Sequence, residues 1–316
     1  MRHFLSVAAF GLLCAGSAWA SVDTGLLALV APGAKIIVGT DMAQLQSSVF
    51  GQFLLNKMQA SDVQKAMNEA GVNLGRDLQS VVFAMSEIDA KSGRPKSWAL
   101  LARGHFDAAK LKATATADGG AKVIKYGGLD VLVGNKNQPE DDAAVTFLEG
   151  GVTIVADKNT VKQIIDRRAA TRMADADVER QINSIGAKND FWTVVSMSSA
   201  SLLAMRKGEP LPEAFRSIES VTHFSVGIKL GDTIDMTIDA GTRSADDAES
   251  LAGAIHFIAA MAQMEGQKDP NVATWAKLLD GMTVENSGPD LHWVMSLPEK
   301  SLEQLAELGQ TQGGKH

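Results

Sequence analysis

Two histidines in segments of alternating polar and apolar residues are the first candidates for binding chemistry. His223 alternates with Ser225 and Lys229 in a predicted strand, and His292 has a similar position in another. Since successive side chains of a strand point to opposite faces, both histidines are expected on polar strand faces. If the strands are neighbours, His223 and His292 can share a ligand-binding face; otherwise they are two separate solvent-facing residues. A metal site would need a third ligand, which the sequence does not identify, so we predict no metal and no cofactor.

A third candidate, His256, lies within the apolar stretch from Leu251 to Ala262. It can be a buried general base or ligand contact, or a hydrogen-bonded core residue. A helix that is apolar on all sides is usually buried, and the stretch is shorter than the about 20 residues needed to span a bilayer. We therefore predict a buried central helix here, with an apolar cavity lining or a partner interface as the alternative.

Common catalytic motifs do not occur in the sequence. It contains no Gly-x-Ser-x-Gly, no His-Glu-x-x-His, no phosphate-binding loop and no Gly-x-Gly-x-x-Gly. The sequence therefore identifies no catalytic residue. Because catalytic triads are defined by geometry and not by sequence position, a hydrolase that uses His256 or His105 with a neighbouring acid stays an alternative.

The N-terminal segment has the layout of a secretory signal peptide. Arg2 precedes an apolar stretch over residues 4–15, and Ala18-Trp19-Ala20 forms a small-x-small site. We predict cleavage after Ala20 and a periplasmic or extracellular location. The only cysteine, Cys14, leaves with this segment, so the mature protein has no disulfide. Because no later apolar run reaches spanning length, we predict no transmembrane segment in the mature protein.

Composition and charge narrow the partner class. The chain of 316 residues is 45% hydrophobic and 21% charged, which is ordinary globular usage, and its net charge is −7. An acidic balance argues against a nucleic-acid partner, because neutralising phosphates requires a basic surface.

The rest of the chain predicts alternating strands and helices. Glycine pairs at 127–128 and 150–151 predict tight hairpins, and Asp41, Asp107 and Ser244 are predicted helix N-caps. The helix that begins at Asp41 is expected to bury Leu45, Val49 and Phe53. Further helices are predicted over residues 61–70, 211–220, 271–279 and 299–308.

Two halves of the sequence show a similar order of elements. Residues 78–81 resemble residues 218–221, and a strand pair and a helix follow in both places. We predict an α+β fold of two similar antiparallel-sheet units packed with helices, and hence an internal duplication. The units are 21–187 and 188–308, after a signal peptide over 1–20 and before a disordered tail over 309–316.

Several segments resemble a family of exported bacterial proteins of unknown function. The similar segments are 32–41 (PGAKIIVGTD), 47–52 (SSVFGQ), 101–107 (LARGHFD), 164–168 (IIDRR), 217–220 (SIES) and 298–305 (PEKSLEQL). The resemblance covers about residues 26–308. It implies export and a mixed α/β fold, and it brings no activity and no site residues.

These features favour an exported soluble protein that binds and does not catalyse, in the cell envelope. Its expected target is another envelope protein or an apolar ligand, with His223, His256 and His292 as candidate ligand-binding residues. The alternatives are a hydrolase-type enzyme with a site assembled from distant residues, and a carrier of an apolar ligand.

Overall fold

A computed structural model describes residues 22–53, 71–89, 94–117, 120–134, 143–196, 213–268, 276, 279 and 281–298. In these residues an antiparallel sheet of 12 strands carries helices on both faces, which confirms the predicted α+β class. The predicted signal peptide, the predicted helices over 61–70, 271–279 and 299–308, and the predicted tail lie wholly or largely outside the described residues.

The described elements have the following bounds. The strands are β1 (Ile36–Asp41), β2 (Leu78–Met85), β3 (Trp98–Gly104), β4 (Ala121–Tyr126), β5 (Leu129–Gly134), β6 (Ala143–Leu148), β7 (Val152–Asp157), β8 (Phe191–Val195), β9 (Val221–Leu230), β10 (Thr233–Thr242), β11 (Thr283–Ser287) and β12 (Asp290–Pro298). The helices are α1 (Thr24–Leu29), α2 (Met42–Ser47), α3 (Leu74–Asp77), α4 (Ala108–Thr116), α5 (Lys158–Asp166), α6 (Ala176–Gly186) and α7 (Ala245–Gly266), with a 3₁₀-helix (Glu213–Ser220) before β9.

Strands β1 and β8 lie side by side in the middle of the sheet. The order is β11-β12-β10-β9-β8-β1-β2-β3-β7-β6-β5-β4, and each neighbouring pair is antiparallel. Gly39 of β1 is the register partner of Trp192 of β8. The sheet therefore continues across the predicted boundary at residue 187.

The two parts of the sheet have related strand orders. Each begins in the middle with three consecutive strands, β1-β2-β3 or β8-β9-β10, and a later hairpin, β6–β7 or β11–β12, lies beside the third strand. This order agrees with the predicted duplication, which stays a prediction, as does the division into two units.

Local sequence signals explain several turns and helix starts. Gly127 and Gly128 have φ angles of 55° and 83°, and the 150–151 pair has 74° and 70°, values that favour glycine. The predicted caps also form. Asp41, Asp107 and Ser244 accept hydrogen bonds from backbone N–H groups of their helices at 2.8, 2.9 and 3.1 Å.

Two helices near the N-terminus differ from the sequence prediction. Helix α2 ends at Ser47 because Ser48 is extended (φ −86°, ψ 148°), and Val49 is 60% exposed, so the predicted burial of Val49 is wrong. Helix α1 was not predicted, although Leu26 and Leu27 are fully buried. Six residues are too few for a helical period to stand out.

The larger hydrophobic core lies on one face of the sheet. Side-chain alternation and strand register place Ile37, Val82, Leu101, Ile154 and Trp192 on this face. Helices α1, α5 and α6 pack on it and contribute to the same core cluster. We call it the α6 face.

The opposite face, the α7 face, carries helices α2 and α7. Phe224, Ala240 and Leu291 point to it, and Leu251 of α7 packs among them. The predicted buried central helix is wrong, because α7 meets the sheet with one side alone. Its buried residues are Ala248, Leu251 and Ala259, whereas Phe257, Met261 and Met264 are 56%, 49% and 63% exposed.

Asp77 fixes the short turn from α3 into β2. Its carboxylate accepts hydrogen bonds from Arg76 Nε at 2.6 Å, from Arg76 Nη2 at 2.9 Å and from the Asn73 backbone N–H at 2.8 Å. These bonds, the Arg76 bonds above all, lower the pKa of Asp77 from 3.8 to about 2. The carboxylate therefore stabilises the folded state in its ionised form.

We expect Asp77→Asn to lower the free energy of unfolding by about 1–2 kcal/mol at pH 7. Because the folded-state pKa lies below the unfolded one, this stabilisation is complete above about pH 4 and is lost as the pH falls towards 2. Urea denaturation at pH 7 and pH 2 should show the gap between variant and wild type closing in acid. Asp232→Asn, in the exposed β9–β10 turn, is the control. A gap of the same size at pH 2 would contradict the assignment.

Candidate functional site

Two of the predicted histidines line one cavity on the α6 face. His223 lies on β9 and His292 on β12, and strand β10 runs between them. The cavity has a volume of about 430 Å³ and is bordered by Gln181 and Ser184 of α6. We call it the β9–β12 cavity. Both histidines lie on the same face of the sheet, although β9 and β12 are not the neighbouring strands on which the expectation of a shared face depended.

Strand register arranges the polar residues in two parallel rows. The first row runs Ser225–Asp239–His292–Glu285 across β9, β10, β12 and β11. The second row runs His223–Gly241–Asp290–Ser287 across the same strands. Neighbouring strands are about 4.8 Å apart, so each row spans the whole floor of the cavity.

The first row contains an imidazole–carboxylate pair. His292 Nδ1 lies 2.6 Å from Asp239 Oδ1, and the two side chains are about half exposed. An ionised carboxylate can only accept, so Nδ1 is the donor and carries a proton. The bond fixes the orientation of the ring against β10.

The second row depends on a glycine. A Cβ added at Gly241 would lie 2.0 Å from His223 Cε1 and 2.7 Å from its Nδ1, so the His223 ring covers the bare backbone of β10. Thr222 Oγ1 lies 3.1 Å from the same Nδ1. A larger residue at position 241 would displace the ring from the cavity floor.

A buried hydroxyl completes the floor beside Asp239. Ser225 is 7% exposed and borders the cavity. Its side chain has no hydrogen-bond partner among the described residues. Since Ser225 lines the cavity, this hydroxyl is available to a ligand.

The order of residues in the first row bears on the hydrolase alternative. A serine nucleophile needs the imidazole between itself and the carboxylate. Here Asp239 lies between Ser225 and His292, which are two strands apart, about 10 Å. The arrangement can bind a ligand by hydrogen bonds and charge, but His292 cannot take the Ser225 proton directly.

Within the described residues no group of three His, Cys, Asp or Glu side chains could hold a metal ion.

His256 is not part of this cavity. It lies on α7, which packs on the opposite face, and it is exposed. The expectation of a buried general base or a core histidine at this position is therefore wrong, because the side of α7 that carries His256 does not meet the sheet. His105, the other candidate base, is also exposed, at the end of β3.

Helix α7 presents a second surface feature, an apolar stripe. Its exposed residues recur at intervals of three or four positions, which places them along one side of the helix. We call this the α7 stripe, consisting of Gly253, His256, Phe257, Ala260, Met261 and Met264.

Sequence reasoning missed Asp239, Ser225 and Gly241 as site residues. A local signal for two of them exists, because the short turn at residues 231–232 pairs β9 with β10 and puts Asp239 opposite Ser225. Placing His292 beside Asp239 requires the pairing of β10 with β12, which no local pattern indicates.

The fold has a structural relative among solved proteins. The structure of TP0453 in crystal form I matches with a TM-score of 0.51 and 10% sequence identity, over 91% of this chain and 98% of that chain. At this identity the likeness shows the shared α+β architecture. No family model matches the chain, and the comparison with curated proteins gives no match.

In the described part of the chain, no helix has the length and hydropathy needed to cross a membrane.

Proposed function

We propose that this chain is an exported, non-catalytic interaction protein of the cell envelope, which docks an amphipathic helix of a partner protein on the α7 stripe. The observation that carries the proposal is the exposure of Phe257, Met261 and Met264 along one side of a helix whose other side is buried. Contiguous exposed apolar surface of this kind marks interaction sites.

The shape of the α7 stripe favours a helical occupant. Its positions follow the spacing of three and four residues by which helices pack on one another. Gly253 and Ala260 let a partner backbone come close, while Phe257, Met261 and Met264 supply large side chains. A helix of 22 residues is about 33 Å long, enough for several turns of contact.

Charge at the ends of α7 favours a basic partner over a second copy of this chain. Asp246 and Glu249 are exposed in the first turns, on the side of the stripe, and the last turn contains Glu265 and no basic residue. A second copy packed in parallel would place Asp246 and Glu249 of one chain against those of the other. A partner helix with basic ends gains complementary charge.

The structure supports binding over catalysis at the β9–β12 cavity, because Asp239 separates the Ser225 hydroxyl from the His292 imidazole.

The structure is also compatible with export. Cleavage after Ala20 would retain Asp23, which caps α1 and bonds to Arg103. Export itself predicts that intact-mass measurement of the protein from its native envelope fraction gives a chain beginning at Ser21.

Site-specific photo-cross-linking tests the docking surface. A photoreactive residue at Met261 in the native host should give an adduct whose cross-linked peptide maps to a basic amphipathic helix of another protein. Phe257→Asp should lower the adduct yield about tenfold, as for a central interface residue. The same label at Thr233, which is exposed at the start of β10 and lies outside the stripe, is the control. Cross-links to lipid or to a second copy, or a yield unchanged by Phe257→Asp, would contradict the proposal.

A further inference from the structure

We propose that the β9–β12 cavity binds a small organic cation, a molecule or side chain with an ammonium or guanidinium group. The cavity and the α7 stripe lie on opposite faces of the sheet. This inference therefore does not depend on the docking function proposed above.

The charge of the cavity points to a cation. Asp239, Glu285 and Asp290 all border it, and its described lining contains no lysine or arginine. His292 bonds to Oδ1 of Asp239, which leaves Oδ2 free to accept from a ligand. Carboxylates gathered in one concave site attract cations from solution.

The buried hydroxyl of Ser225 is the second, independent observation. It is 7% exposed and has no side-chain partner in the described residues, while its register neighbour is Asp239. Because Ser225 borders the cavity, its hydroxyl can accept a hydrogen bond from an N–H group of a ligand. A group that reaches Ser225 also lies against Asp239, so one cationic N–H fork can bond to both.

The size of the cavity distinguishes an organic cation from a bare metal ion. A volume of about 430 Å³ lies within the usual range of small-molecule sites and greatly exceeds the coordination shell of one ion. The His223 ring, held over Gly241, makes a flat wall beside the second row. The site thus offers several hydrogen-bond acceptors spread over a surface, which suits an extended cation with more than one N–H group.

Two kinds of molecule could supply the cationic group: a free polyamine, or a peptide through an arginine or lysine side chain. Calorimetric titration of the full mature protein with spermidine and with N-acetyl-arginine amide distinguishes them by which probe binds more tightly. N-acetyl-citrulline amide, which has the shape of the arginine probe without its charge, should not bind. Absence of saturable binding by both cationic probes would overturn the proposal.

Variants locate the binding within the molecule. Asp239→Asn and Glu285→Gln should each weaken binding of the tighter probe about tenfold, as expected for loss of a charged hydrogen-bond partner. Ser225→Ala should weaken it several-fold. Asp232→Asn, an exposed acid in the β9–β10 turn, should leave binding unchanged. Binding that survives Asp239→Asn and Glu285→Gln combined would overturn the assignment to this cavity.

One measurement needs no variant. Addition of the cationic probe to the wild-type protein should shift the ring proton resonances of His223 and His292, since both rings border the cavity. The resonances of His105 and His256, which lie elsewhere, should not move. Shifts of the latter pair alone would place the binding at another surface and overturn the proposal.

Discussion

Trp192→Ala is expected to lower the free energy of unfolding by about 3–5 kcal/mol, the usual cost of truncating a buried tryptophan. Trp192 is 4% exposed and lies between β1 and the end of α6. A Cβ added at Gly39 would come within 2.1 Å of its ring, and one at Gly186 within 3.1 Å. Urea denaturation followed by far-UV circular dichroism measures the loss without relying on tryptophan fluorescence.

The close contact with Gly39 allows a double-mutant cycle. Gly39→Ala alone should destabilise the protein, because the new methyl group meets the indole. In the Trp192→Ala background the same methyl group enters vacated space. The two changes together should therefore cost less than the sum of the single changes, with a coupling of about 1–3 kcal/mol.

Phe257→Ala is the matched control for the loss of an aromatic ring. Phe257 is 56% exposed on α7, and its truncation should change stability by about 0.5 kcal/mol or less. If Trp192→Ala costs no more than Phe257→Ala, the indole does not fill the junction between β1, β8 and α6.

Asp23→Ala is expected to lower the free energy of unfolding by about 2–3 kcal/mol at pH 7. The Asp23 carboxylate accepts from Arg103 Nε at 2.5 Å and Nη2 at 3.1 Å, from the Leu26 backbone N–H at 3.0 Å and from Ser80 Oγ at 3.0 Å. Its removal uncaps α1 and leaves Arg103, whose side chain is 29% exposed, without its carboxylate.

The pH dependence of Asp23→Ala follows from the pKa of this carboxyl. Burial by itself raises that pKa, but the bonds from Arg103, Leu26 and Ser80 together outweigh burial and lower it below its usual value. The stabilisation is therefore present at neutral pH and decreases as the pH falls below about 4. Chemical denaturation across this range measures the difference between variant and wild type.

Ser80→Ala provides the comparison for Asp23→Ala. It removes one of the hydrogen bonds to the carboxylate and leaves the ion pair with Arg103 intact, so its cost should be about 1 kcal/mol. Equal costs for the two variants would show that neither the cap of α1 nor the ion pair contributes.

Local signals account for the parts of the fold that the sequence predicted well. The glycine pair at 127–128 permits a two-residue turn, and Asp107 caps a helix within three residues of itself. The alternation around His223 and His292 likewise placed both side chains on the polar side of their strands. Each of these features depends on residues a few positions apart.

The prediction for α7 failed because composition does not say which side of a helix meets the sheet. Leu251 and Met261 are equally apolar, yet one packs on the sheet and the other is 49% exposed. Strand pairing over a long sequence distance determines which side of α7 is buried. The surface on which α7 packs forms only when β10 pairs with β12. The candidate site depends on the same pairing, because it sets His292 beside Asp239.

The central position of β1 has a consequence for synthesis. Its second partner, β8, comes much later in the chain: the Thr40 side chain bonds to the backbone carbonyl of Asp190, 150 positions further on. At the usual elongation rate of about 5–20 residues per second, roughly 8–30 s pass before that partner emerges. During this interval one edge of β1 has unpaired backbone groups that can pair with another chain. A chaperone that keeps the chain unfolded during synthesis and export is therefore expected to matter most until β8 is available.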